Sequence, residues 1–357
     1  MDISERRVQM KPTVRDIAKK AGVSIASVSL VLNNKPSRIT DATKQKILSA
    51  AVELGYHLEE KPAKKVYSED RGKENHSLIG VIRPGYFNEF LDSCQCGIDR
   101  YAYVHGYKAV ACSVADSTEQ ALEYLKVLRQ IDVKGIIMVP PKDMNENSNN
   151  EKLGRALQET KVPFLLLDQA IDRVYCDFIT GDNKGGAYMA AEYLIHQGHR
   201  EIGMISGNRE IYTCRKRIEG YKEALAFYDI SIIEENIFYG NTSWQTGYKA
   251  MEYFDKRGIR AVFACEDEMA FGVYKYAQEN ELQVGKEISV VGFNDASVSS
   301  ILIPALTSIN LPGELMGKKA CEVLVKRIEG ADKEAVRTTY FAPRMIERAS
   351  VRNMNCF

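Results

Sequence analysis

Long hydrophobic runs are missing from this 357-residue chain. No stretch approaches the ~20 apolar residues that a membrane-spanning helix needs. The N-terminus, Met1-Asp2-Ile3-Ser4-Glu5-Arg6-Arg7, has no apolar core of the kind that directs export, so a cytoplasmic protein is expected. Net charge is missing too: 48 Lys and Arg balance 48 Asp and Glu. Eight cysteines are scattered at 94, 96, 112, 176, 214, 265, 321 and 356, with Cys94 and Cys96 the one close pair. No spacing among them suits zinc, and buried free thiols in a reducing compartment are the plain reading. His196-x-x-His199 has no evident third ligand and reads as structural. A nucleophile elbow, a phosphate-cradling glycine loop and a metal-ligand set are all lacking, which argues against an enzyme and implies no cofactor and no metal.

The zero total hides an uneven distribution. Residues 1–66 hold 13 Lys and Arg against 7 Asp and Glu, which leaves an acidic remainder. A basic head on an acidic body suits an end that meets phosphate. In that head Thr13 is a good N-cap, and Val14, Ile17, Ala18 and Ala21 fall at i, i+3, i+4 and i+7 on one helical face. Gly22 ends the helix, because glycine enters the left-handed region without a Cβ penalty. Val23 plugs the turn, Ser24 caps a second helix, and Val28, Val31 and Leu32 form its inner face. Ile25, Ala26, Ser27, Ser29, Leu30 and Asn33 are left outside. Thr40 or Asp41 caps a third helix, whose Ile47, Leu48, Ala51 and Leu54 close a small core and which Gly55 ends. A three-helix subdomain without a ligand is the bland alternative. Against it, the second helix is short and presents small side chains that let its backbone approach a groove. Its hydroxyls and Asn33 suit phosphate contacts.

Residues 57–77 carry ten charges among 21 residues and hold no period, the composition of a solvated linker. Pro62 interrupts a helix there unless it falls in the first turn. From Leu78 short apolar strands alternate with amphipathic helices. Strands are expected at 78–83, 108–114, 135–139, 162–168, 202–206, 261–265 and 288–293. Helices are expected at about 90–105, after a Thr118 cap, and at 185–197, 215–228, 245–256 and 268–280, with the Asn-rich stretch 145–150 a loop. The alternation means parallel sheets covered on both faces, and its restart suggests two similar lobes with a cleft between their strand C-termini.

Residues 12–56, from Pro12-Thr13-Val14-Arg15-Asp16-Ile17-Ala18 to Leu54-Gly55-Tyr56, resemble the DNA-binding head of the lactose repressor (LacI/GalR) family. The resemblance continues through Asp182-Asn183, Gly198-His199-Arg200, Arg217-x-x-Gly220-Tyr221, Val290-Val291-Gly292-Phe293-Asn294-Asp295, Pro304-x-Leu306-Thr307 and Arg348-x-Ser350. It implies an α/β chain: a three-helix helix-turn-helix head at 10–56, a linker with a degenerate hinge at 57–77, and a two-lobed periplasmic-binding-protein-like body at 78–357. One lobe would hold about 78–170 with a return near 305–330, the other about 171–300 with the C-terminus.

By the same resemblance Ile25, Ala26 and Leu30 occupy base-reading positions, and Ser24, Ser27, Ser29, Asn33 and Thr43 phosphate-contacting ones. Asn88, Phe90, Asp168, Arg217, Glu266, Asp267, Asn294 and Asp295 would line the effector cleft, where carboxylates, amides and an arginine fork suit hydroxyls that both donate and accept. Phe90, Trp244, Tyr86 and Tyr212 could stack on a ring. The implied partners are double-stranded operator DNA, a second copy of the chain and a small effector, a sugar or sugar derivative before a nucleobase, with no membrane. A transport-type sugar-binding protein is the alternative function.

Four departures stand out against that pattern. Family members usually carry Asn-Asp where this chain has Glu266-Asp267, and Asp where it has Asn294. The hinge lacks the usual leucine that wedges into the minor groove; Lys65 stands about where it belongs, so operator bending weaker than in relatives, or none, is expected. Leu30 stands where relatives often place an arginine that holds guanine. Three apolar readers cannot make bidentate hydrogen bonds but can pack against thymine methyls, so T-containing half-sites are expected.

Overall fold

The computed structural model describes residues 13–32, 39–54, 77–86, 88–145, 147–332 and 334–355. The expected contact of Asn33, the end of the third helix at Gly55, and the linker with Pro62 and Lys65 lie outside the described residues.

The head is three helices: α1 (Val14–Ala21), α2 (Ile25–Leu32) and α3 (Asp41–Glu53). The Asp16 carboxylate turns back to accept from the Thr13 amide at 2.7 Å and the Thr13 hydroxyl at 2.6 Å, closing the first turn of α1. Gly22 then reverses the chain at φ 67°, where a side chain would be strained. Ser24 starts α2 by accepting from the Ser27 amide at 3.1 Å. Thr40, not Asp41, plays that part for α3, accepting from Thr43. Ile17, Ala18, Val28, Ile47, Ala50 and Ala51 form the core, with Val14, Ala21, Val23, Val31 and Leu54 packed around it.

The body begins with β1 (Ser77–Pro84), α4 (Glu89–Val104), β2 (Tyr107–Val114), α5 (Thr118–Gln130), β3 (Gly135–Met138), α6 (Asn147–Glu159), β4 (Phe164–Leu167) and β5 (Asp177–Gly181). It continues with α7 (Asn183–His196), β6 (Ile202–Ser206), α8 (Tyr212–Phe227), β7 (Ile237–Tyr239), α9 (Trp244–Asp255), β8 (Ala261–Ala264), α10 (Asp267–Glu279) and β9 (Ser289–Phe293). It closes with β10 (Thr307–Asn310), α11 (Gly313–Ile328), β11 (Thr338–Phe341) and β12 (Arg344–Ile346). Two six-stranded sheets result, ordered β11-β5-β4-β3-β1-β2 and β12-β10-β9-β8-β6-β7.

Four expectations need correction. The sheets are not wholly parallel, because β12 runs antiparallel to β10. The lobe boundaries shift: 177–181 pairs into the first sheet, and 307–310 pairs with β9 in the second. The return to the first lobe therefore starts near 312, and the chain crosses between lobes three times. Ser117 rather than Thr118 caps α5, while the Thr118 amide and hydroxyl donate to Asp143. The Asn-rich stretch is no loop over its length, since a helix starts at Asn147. That helix is explained by Leu153 and Leu157, four apart and both fully buried, each contributing about 1.5–3 kcal/mol.

Candidate DNA-reading face and effector cleft

In the head the outer side of α2 carries no guanidinium and no amide among its described residues. Ile25 is 50% exposed, Ala26 and Ser29 are exposed, and Ser27 and Leu30 are half-buried. The Ser24 and Ser27 hydroxyls are hydrogen-bonded to each other at 2.9 Å at the start of the helix. Thr43, half-buried near the start of α3, keeps its hydroxyl 2.9 Å from that of Thr40. Arg15, Lys19, Lys20 and Lys46 are exposed on the flanking helices.

In the body the eight expected cleft residues all line one cavity of about 350 Å³. They reach it because strands end there. Asn88 and Phe90 follow β1, Asp168 follows β4, Glu266 and Asp267 follow β8, and Asn294 and Asp295 follow β9.

Arg217 forms the floor and is only 2% exposed. Its Nε donates to the Asn183 amide oxygen at 2.9 Å, and its Nη1 donates to Glu266 at 2.8 Å and to the Cys265 carbonyl. The guanidinium lies over the Phe293 ring, 3.8 Å from its centroid. So many partners fix the fork before any ligand arrives. They also offset the cost of burying a charge.

The acceptors around it differ. Asp168, held at φ 66°, is buried, and its Oδ1 has no hydrogen-bond partner among the described residues. The buried Oδ1 of Asn294 has none either. Burial pushes the Asp168 carboxyl up to about 6. Asp267 is different. Its oxygens accept from Ser308 at 2.6 Å and from Ser299 and the Ala296 amide, both at 2.7 Å. It acts by tying the 294–300 loop to its own lobe, and burial pushes it up to about 7. Asp295 is paired with Arg348 at 2.8 Å. Asn88 caps α4 by accepting from the Leu91 amide at 2.9 Å, which leaves its amide nitrogen to offer.

Contacts that sequence reasoning missed bind one lobe to the other. Gln169 donates to the Thr213 hydroxyl at 2.8 Å, Lys142 donates to Thr242 at 2.9 Å, and Glu89 accepts from the Ser297 amide at 2.9 Å. Thr213 stands one helical turn before Arg217 on the same face, a signal available from spacing alone. Cys214 and Cys265, 51 positions apart in the chain, share a hydrogen bond beside Arg217 that pushes the Cys214 thiol down and the Cys265 thiol up. Not all the thiols are buried: Cys96 is exposed and Cys176 half-buried. His196 bonds the Tyr228 hydroxyl at 2.8 Å and His199 the Arg352 carbonyl at 3.1 Å. Among the described residues no helix is long and apolar enough to cross a membrane.

Comparison with known proteins places both parts. Residues 13–58 match the model of bacterial regulatory proteins of the lacI family, and residues 191–351 match a periplasmic binding protein-like domain. The transcriptional repressor PurR of Vibrio campbellii is 30% identical over 345 residues, covering 96% of this chain and 99% of that protein. The chain belongs to the lacI family. It is a DNA-binding regulator of transcription and not an enzyme. Solved structures agree along its length. The regulator CelR in complex with cellobiose superposes with a TM-score of 0.70 at 26% identity, over 95% of this chain and 99% of that one. The lac repressor dimer bound to operator and the anti-inducer ONPF gives 0.69 at 26% identity, over 96% and 99%.

Proposed function

We propose that this regulator is a cytoplasmic, homodimeric repressor whose operator affinity is set by a neutral sugar held between the lobes. The observation that carries the sugar reading is the pair of acceptors, Asp168 Oδ1 and Asn294 Oδ1, buried in one cavity with no donor among the described residues. Burying an acceptor unsatisfied costs about 1–3 kcal/mol, and a ligand that brings hydroxyl donors recovers it. An anionic effector fits poorly, because Glu266 already neutralises Arg217. A nucleobase is the second reading, favoured by the aromatic Phe90 and Tyr86 in the same wall.

DNA contact falls to Ser24, Ile25, Ala26, Ser27, Ser29, Leu30 and Thr43, with the lysines and arginines of α1 and α3 adding attraction to phosphate. Two heads must meet two half-sites together, so closing the lobes on a sugar alters operator affinity without touching the heads. Thermal-shift screening of monosaccharides, disaccharides and nucleobases, followed by gel shifts with genomic fragments, tests this reading. Sugars that stabilise the protein and alter a salt-sensitive, specific shift are expected. Stabilisation by nucleobases alone would replace the sugar reading by the second one.

A further inference from the structure

We infer that the cleft holds a second, outer ring subsite walled by Trp244 and Tyr86, so that the effector is a neutral saccharide of at least two rings. The inference rests on the sugar reading above and extends it.

The inner cavity, at about 350 Å³, stands at the low end of the ~300–1,000 Å³ usual for ligand sites, room for one ring around Arg217. It does not end in a wall. A second cavity of about 1020 Å³ adjoins it, and the two share Tyr86, Lys142, Ile211, Thr242, Glu268 and Phe271. The outer chamber is also lined by Trp244, Asn208, Asn241 and Asp116.

Its walls suit a pyranose. Trp244 is 44% exposed and Tyr86 36%, although both are large rings with apolar faces. Tyr86 has one face taken by the Lys142 ammonium, 4.3 Å from its centroid. Trp244 is the first residue of α9 and is held in place by its backbone. A Cβ on Gly272 of α10 would come within 1.9 Å of the Trp244 carbonyl, so α9 and α10 meet there in direct backbone contact. An exposed aromatic on a fixed backbone is a ready platform for the C–H face of a sugar.

Polar groups stand beside the platform. The Asp116 Oδ1 is buried and has no hydrogen-bond partner among the described residues. Its residue sits at φ 51°, in the left-handed region. Lys142 stands at the junction of the chambers, donating to Thr242 at 2.9 Å with Asp116 at 3.9 Å. Two lysines, Lys142 and Lys275, face three carboxylates, Asp116, Asp143 and Glu268, so the chamber offers no surplus positive charge to an anionic group such as a sugar phosphate.

Trp244 is the only tryptophan in the chain, so its emission reports on the outer subsite directly. The experiment titrates the full-length protein with glucose, ribose, cellobiose, maltose and guanine while following tryptophan fluorescence and melting temperature. A disaccharide that shifts the emission and binds about tenfold tighter than its constituent monosaccharide is expected. Trp244→Ala should erase that advantage while leaving monosaccharide affinity within about twofold, and Trp244→Phe should keep most of it. A monosaccharide that binds as tightly as any disaccharide overturns the outer subsite and leaves the sugar reading standing. So does a disaccharide affinity that Trp244→Ala does not change. Response to guanine alone, or to none of these compounds, overturns both.

Discussion

The amide nitrogen of Asn294 donates to the Glu266 carboxylate at 2.5 Å, and the other oxygen of that carboxylate holds Arg217 at 2.8 Å. These two positions depart from the family's habit: a carboxylate stands at 266 where relatives usually carry an amide, and an amide at 294 where they usually carry a carboxylate. Because the two side chains are bonded to each other, the departures compensate. Arg217 keeps one nearby counter-charge whichever way the pair is written.

That relationship predicts a double-mutant result. Glu266→Gln removes the counter-charge from a buried guanidinium and should lower stability to denaturant by about 3 kcal/mol. The reversed pair, Glu266→Asn with Asn294→Asp, should recover at least ~1 kcal/mol over the sum of its two single changes. Simple additivity in denaturant titrations would show that the two positions do not compensate.

Asp168 makes a pH prediction. Burial holds its carboxyl at about 6, above the ordinary carboxylate value, so the folded state keeps this proton after the unfolded chain has lost it. Stability from this group is therefore fully present below about pH 4 and is lost as pH rises through about 6, by roughly 2–3 kcal/mol. Asp168→Asn cannot ionise. Its stability relative to the unaltered protein should rise by about 2 kcal/mol between pH 4.5 and 7.5. A difference that stays flat across that range would mean the carboxyl is not raised.

Gly22 isolates one backbone term. A Cβ there would meet nothing within 4 Å, yet the residue sits at φ 67°. Gly22→Ala should thus cost about 1 kcal/mol of head stability through conformation alone. Calorimetry of the full chain should show the head melting earlier with the body's transition unmoved. A shift in the body's transition instead would show that the effect is not local to the head.

The α2 surface predicts what the head reads. Ile25 stands half exposed and Ala26 is exposed, and neither can discriminate guanine by paired hydrogen bonds. Selection from random duplexes should return half-sites anchored on thymines, and Ile25→Ala should flatten that preference. Half-sites anchored on guanine would point to a reader other than these side chains.

How far the residues announced this architecture differs by region. The head was legible because each helix carries its own punctuation: Thr13 with Asp16, Gly22, Ser24 and Thr40 all do locally what their types suggest. The cleft residues were legible as strand ends, since short apolar runs such as Val290-Val291-Gly292-Phe293 stop where polar residues begin. Other features depend on long-range pairing that no local pattern carries. Strand β11, which follows β10 of the second sheet in sequence, returns to pair with β5 in the first. The Cys214–Cys265 contact and the Lys142–Thr242 contact join residues 51 and 100 positions apart. Helix α6 was hidden because its first turn is asparagine-rich, and only Leu153 and Leu157 reveal its buried face. The satisfied state of Asp267 was hidden as well, because Ser299 and Ser308 reach it from other elements.

Sugar binding at Arg217 should control DNA binding by the head. Fluorescence anisotropy of a selected operator duplex, with and without the stabilising saccharide, tests it in the unaltered protein and in Arg217→Lys, which keeps the charge but loses the fork. The saccharide should change operator affinity at least about fivefold in the unaltered protein. Arg217→Lys should show no such change, and its affinity without sugar should be normal. An equal response in both proteins would contradict it.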